Sequence, residues 1–138
     1  MKIYLIGSLR NPKVPILAEN LRDEGHDVFD DWYAAGPEAD DHWQSYEQAR
    51  GRTYIEGLNG LAVGHVFDFD RKHLALAEAG VLVLPAGRSG HLELGIMIGQ
   101  HKRAYILLDG EPERWDMMYK FASGVFIDKK SLVEELRT

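Results

Sequence analysis

The stretch PAGRSGHLELG, residues 85 to 95, carries a carboxylate, Glu93, in the first turn or two of what reads as a helix. Two more carboxylates, Asp68 and Asp70, stand upstream in VFDFDRKHL, just before another helix-like segment. Two carboxylates held near one sugar are the usual equipment for breaking a glycosidic bond, and close spacing implies a covalent glycosyl–enzyme intermediate. Each acid also has a plainer use. A Glu in a first helical turn complements the helix dipole for about 0.3–1 kcal/mol, and one of Asp68 and Asp70 is a natural helix N-cap. On the residues alone both uses stand.

The surroundings of Glu93 favour charge. Gly87, Ser89 and Gly90 expose backbone N–H groups at the start of the helix, a ready seat for an anion. A carboxylate held there is expected to keep a low pKa, which suits a nucleophile or electrostatic stabiliser better than a proton donor. Near the N-terminus, YLIGSLR offers a second polar turn. Gly7 permits close backbone approach, Ser8 has a hydroxyl to donate, and Arg10 presents a planar bidentate fork. The turn lacks both the GxGxxG spacing and the GK[ST] ending, so neither the dinucleotide nor the P-loop fingerprint applies. A third loop, FDDWYAAGPEADDHW, combines Asp30, Asp31 and Asp41 with Trp32, Tyr33 and Trp43. Its acids, Asp31 among them, suit hydrogen bonds to sugar hydroxyls, and Trp32 suits stacking on a base.

Such groups work only if the fold brings the three loops together. KIYLIG (residues 2 to 7) is an apolar run ending in Gly, as a buried strand is. A helix is expected over Val14 to Glu24, ended by Gly25, and a second strand over His26 to Phe29. Glycines 51, 57, 60 and 64 punctuate the middle, which reads as two helices breaking near Gly51 and a further helix starting near Asp68 or Asp70. Strands follow at Val81 to Leu84, Ala104 to Leu108 and Gly124 to Ile127, and helices at His91 to Gln100, Glu113 to Phe121 and Lys129 to Arg137. Strands that alternate with helices and show no internal polar alternation indicate a parallel sheet covered on both faces. The expected fold is a single-domain α/β, Rossmann/flavodoxin-like three-layer sandwich with about five parallel strands. In such sheets ligands bind beyond the carboxyl ends of the strands, where all three loops would lie.

Composition narrows the chemistry. The 138 residues suit one domain. The net charge of −6, with no long Lys/Arg run, argues against binding duplex nucleic acid. With no cysteine, disulfide and thiolate chemistry are excluded. The scattered histidines and loop acids show no convincing ligand spacing, so neither metal nor cofactor is expected. No signal peptide or apolar membrane span is legible, and a cytoplasmic protein without membrane association is the expectation.

With these loops in view, the sequence resembles the nucleoside 2-deoxyribosyltransferase superfamily, which includes the 2′-deoxynucleoside 5′-phosphate N-hydrolases. The resemblance is carried by YLIGSLR, by an Asp ahead of the third strand, and by SGHLELG followed by GQHKRAYIL. It implies that Glu93 is the nucleophile attacking the anomeric carbon and that Asp70, or else Asp68, assists the leaving base. It further implies sugar or phosphate contacts from Tyr4, Ser8, Arg10 and Ser89. Ser123, in FASGVF, would be contributed by a neighbouring subunit of a homo-oligomer. The implied substrate is a small-molecule nucleoside or nucleotide, cleaved to free base. Transfer of deoxyribose between bases is the close alternative, and a non-catalytic nucleotide-binding module or a dinucleotide-cleaving hydrolase the more distant ones. The chain departs from the family in four places: Ser89 occupies the first Gly position of the signature, the loop between the third strand and Glu93 is short, Gly80 stands where many members have Asp, and DDWYAAGPEADDHW is longer and more acidic than in the nucleotide hydrolases.

Overall fold

A computed structural model describes residues 1–138. Five short strands, β1 (Lys2–Ile6), β2 (Asp27–Phe29), β3 (Ala79–Val83), β4 (Arg103–Leu107) and β5 (Gly124–Phe126), form one sheet in the order β2-β1-β3-β4-β5. Every pairing is parallel. The helices are α1 (Lys13–Asp23), α2 (Ala39–Ala49), α3 (Tyr54–Leu58), α4 (Leu61–Leu76), α5 (Arg88–Gly99) and α6 (Lys129–Leu136), with 3-10 turns at Asp31–Ala35 and Met117–Phe121. This is the Rossmann/flavodoxin-like α/β arrangement that the alternation of strands and helices calls for. The chain leaves β1 toward β2 on one side and returns to β3 on the other, so the strand order reverses between β1 and β3. That switch point opens a crevice above their carboxyl ends.

Strand periodicity divides the core in two. Ile3 and Leu5 face one side of the sheet with Val81, Val83 and Tyr105, where Val14, Leu17 and Leu21 of α1 and Leu132 and Leu136 of α6 cover them. Tyr4 and Ile6 face the other side with Leu82, Ala104 and Ile106, under Leu74 of α4 and Leu94 and Met97 of α5. Tyr4, the one polar side chain in β1's buried run, therefore points toward the helices that carry Asp70 and Glu93.

The middle of the chain differs from the sequence expectation. Asp68 and Asp70 lie well inside a 16-residue helix, α4, whose N-cap is Gly60, so neither Asp is a cap. The capping box of Thr53 and Glu56 begins the short α3 instead. Gly64 sits within α4 without breaking it, because a single helical Gly costs only about 1 kcal/mol against Ala. No α-helix spans Glu113 to Phe121. The chain there makes a single 3-10 turn, begun when Asp116 accepts a hydrogen bond from the Met118 amide at 2.8 Å.

Gly80, where the resemblance leads one to look for Asp, is a packing position. A Cβ there would lie 2.2 Å from Met97 Sδ and 3.0 Å from its Cε. Gly80→Ala is expected to lower stability by about 1–3 kcal/mol through overpacking, read as a reduced denaturant midpoint at unchanged slope.

Candidate active site

A cavity of about 640 Å³ fills the crevice at the switch point. It gathers the loop after β1 (Gly7, Ser8, Arg10), the segment after β2 (Asp31, Trp32, Asp40, Asp41), one face of α4 (His65, Phe69, Asp70) and the start of α5 (Gly87, Ser89, Gly90, Glu93), with Tyr4 at its base.

Helix periodicity decides which acids enter. On α5 the buried positions are Gly90, Leu94 and Met97, so Glu93 shares the stripe packed on the sheet. Gly90 lets α5 sit close: a Cβ there would lie 3.0 Å from Leu82 Cδ1 and 3.2 Å from Ile6 Cγ2. On α4, Asp70 precedes Leu74 and Ala77, both buried, at four and seven residues. Asp68, two residues earlier, faces solvent and pairs with Arg71 at 3.6 Å, its side chain 70% exposed. Asp70 lines the cavity and Asp68 does not.

Glu93 is partly buried, and that burial pushes its pKa up to about 6 from the ordinary 4.5. The Tyr4 hydroxyl, facing Glu93, pulls the value down by hydrogen bonding, whereas the nearby charge of Asp70 raises it. The low pKa expected from the helix N-terminus is therefore incorrect. Glu93 is the sixth residue of α5, in its second turn, where the dipole has faded and desolvation dominates. At neutral pH the group is still mostly ionised. Asp70 is also raised, by burial, with His73 opposing. Tyr4 is 1% exposed, and burial, followed by the charge of Glu93, raises its pKa, so it stays a neutral phenol.

Further residues brace the cavity without carrying an obvious sequence signal. Asn11 is buried; its amide donates to the carbonyls of Val83 (3.3 Å) and Pro85 (3.4 Å), tying the β1 loop to the β3 loop. Trp32 Nε1 donates to the Leu5 carbonyl at 2.8 Å, which fixes the indole over the end of β1. The ring of His91 lies 2.9 Å from the Tyr119 hydroxyl and 2.8 Å from the Gly87 carbonyl, so it holds the start of α5 rather than lining the cavity. Phe69 and His65 complete the α4 wall. A polar residue two positions before a helix, as Asn11 is, reads as an ordinary loop residue until its distant partners are known.

Ser123 lies elsewhere. Its hydroxyl accepts from the Ala104 amide at 3.0 Å, and its own amide donates to the Ala104 carbonyl at 2.7 Å. Ala104 is at the amino end of β4, so within one chain Ser123 is at the sheet edge opposite the cavity. Ser8 accepts from the Arg10 amide at 3.1 Å, and Arg10 sits 3.6 Å from Asp41, both side chains well exposed. No group of three or more His, Asp or Glu side chains converges as a metal site would. No helix is long and apolar enough to cross a membrane.

No protein-family model matches the chain, and no curated protein sequence does. Solved structures share its fold. One is the 2-deoxyribosyltransferase of the psychrotolerant bacterium Bacillus psychrosaccharolyticus, at 18% identity over 96% of this chain and 90% of that one, with a TM-score of 0.63. A conserved protein from Enterococcus faecalis V583 aligns at 13% identity over 99% and 97% of the two chains, TM-score 0.64. The CMP N-glycosidase of Clostridium botulinum aligns at 12% identity over the full length of both, TM-score 0.56. At these identities the likeness is one of fold, and it agrees with the resemblance read from SGHLELG.

Because Glu93 binds its proton more tightly folded than unfolded, stability falls as pH rises from 4.5 through about 6, and the whole penalty is present above that. Glu93→Gln is expected to raise stability at pH about 8 by on the order of 1 kcal/mol, and the gain should vanish near pH 4. Thermal melts of both proteins across that range measure it.

Proposed function

We propose that the chain cleaves the N-glycosidic bond of a nucleoside or 2′-deoxynucleoside by a retaining route, with Glu93 as nucleophile. The observation that carries this reading is the triad of Tyr4, Glu93 and Asp70 around one cavity, with Asp70 near enough for its charge to add to the rise that burial gives Glu93. A Glu93 oxygen attacks the anomeric carbon as the C1′–N bond breaks, forming a glycosyl ester. Tyr4, neutral at the base of the cavity, steadies the attacking carboxylate. Asp70, its pKa raised, is suited to hand a proton to the departing base and to take one from the water that opens the ester. Trp32 and Phe69 supply apolar walls for the base.

Water reaches such an intermediate easily. Asp31, Asp40 and Asp41 line the mouth and are all exposed, which favours hydrolysis over transfer to a second base. A 5′-monophosphate is the second reading. It is supported by Ser89 and Gly87 at the amino end of α5, where no side chain caps the open amides. Against it, Arg10 is the only Lys or Arg among the lining residues, and it already faces Asp41.

Release of free base from a panel of nucleosides and their 5′-monophosphates, followed by chromatography with and without an acceptor base, tests the proposal. Base release with sugar as co-product is the expected result; a new nucleoside formed from the acceptor would mark transfer instead. Glu93→Ala is expected to lower kcat/KM by roughly a thousandfold or more, and Asp70→Asn by about a hundredfold or more. Because Glu93 must be ionised, kcat/KM should fall about tenfold per pH unit below about pH 6. A profile flat down to pH 4.5 would remove Glu93 from the nucleophile's role.

A further inference from the structure

We infer that this cavity prefers an N-glycoside whose base carries a fixed positive charge, such as a ring-N-methylated purine or a pyridinium nucleoside. The inference rests on the N-glycosidic reading of the site and adds the charge of its substrate.

Five carboxylates line the cavity: Asp31, Asp40 and Asp41 at the mouth, Asp70 and Glu93 within. They come from the turn after β2 and from three different helices, α2, α4 and α5, so only the tertiary fold brings them to one space. The single Arg or Lys in the lining, Arg10, faces Asp41 at 3.6 Å. With that pair offsetting itself, four carboxylates remain, and neither Asp31 nor Asp40 has an ion-pair partner in the chain. Acids of one sign lining a cleft with apolar walls concentrate ligands of the opposite charge and repel anions. Trp32 and Phe69 line the same space, and aromatic faces add attraction for an organic cation.

The chemistry fits a cation as well. Departure of a neutral base requires a proton from an acid, and the cavity's inner acids are Glu93, which must be ionised to attack, and Asp70. A cationic base needs none. As a Glu93 oxygen bonds to C1′, the C1′–N electron pair moves onto the ring nitrogen and cancels its positive charge, so the base leaves neutral. Water then bonds to C1′, Glu93 leaves as carboxylate, and the water's proton passes to Asp70 and on to solvent. The sum is cationic nucleoside plus water giving sugar, neutral base and one proton.

Cationic nucleosides are intrinsically more labile, so binding is the decisive readout. Calorimetric titration of Glu93→Gln with 1-methyladenosine and with adenosine, at neutral pH and low salt, compares a cation with its uncharged parent. The expected result is affinity about tenfold or more in favour of the cation. The preference should shrink at high salt and in a variant that also carries Asp31→Asn and Asp40→Asn. Equal or weaker binding of 1-methyladenosine overturns the inference, and so does a preference indifferent to both salt and the Asn substitutions. Base release by the wild-type protein separates the two levels. Release from adenosine without any binding preference for the cation leaves the N-glycosidic reading standing and removes the inference alone. Release from neither nucleoside overturns both.

Discussion

A carboxylate kept short of water is the condition on which the cavity depends. Glu93 lies on the sheet-packed stripe of α5, over a neutral phenol and near a second acid, and burial outweighs the hydrogen-bonding pull of Tyr4. Desolvation of this kind destabilises the fold slightly and leaves a carboxylate less hydrated, which makes it a better nucleophile toward a carbon gaining positive charge. The arrangement needs α5 close against β1 and β3. Gly90 allows that approach, because any side chain there would press on Leu82 and Ile6.

Around this acid the fold separates two electrostatic zones. In the interior, burial raises the proton affinities of Glu93, Asp70 and the Tyr4 phenol alike, and the phenol does not ionise. The mouth is built from exposed acids of the turn after β2 and of α2, and their charges are screened and cheap to hold. Between the zones, the loops are tied to the rigid sheet rather than to one another's tips. Asn11 binds the carbonyls after β3, Trp32 binds β1, and His91 joins the start of α5 to the 3-10 turn at Met117–Phe121. Lys13, paired with Asp109, adds a link between the start of α1 and the loop after β4.

Much of this is legible in the sequence. Apolar runs separated by helical segments specify a covered parallel sheet, and its five strands match within a residue or two at their ends. Ten of the twelve residues singled out as site candidates line one cavity, because loops after successive parallel strands necessarily open on the same sheet edge. The choice between Asp68 and Asp70 was also latent in the sequence. Asp70, Leu74 and Ala77 fall on one face of a helix, but only if that helix begins near Gly60 rather than at the acids themselves. Four glycines obscured that start, so a capping role stayed open for an acid that lines the cavity. Ser123 has no such local clue: its position at the far edge follows from the pairing of β4 with β5.

The sequence by itself determined the layers and the sheet edge on which the candidate loops open, because strand and helix periods are local properties of the chain, and it singled out Glu93 as a candidate there. It could not determine how hydrated Glu93 is. Reading from the helix end alone predicts a lowered pKa; the raised one comes from burial against the packed sheet and then from the charge of Asp70, which together outweigh the pull of the Tyr4 hydroxyl, all contributed by parts distant in the chain. The surplus of negative charge in the cavity is likewise a tertiary fact. Asp31, Asp40, Asp70 and Glu93 become one electrostatic field only when four separate elements are packed around one space.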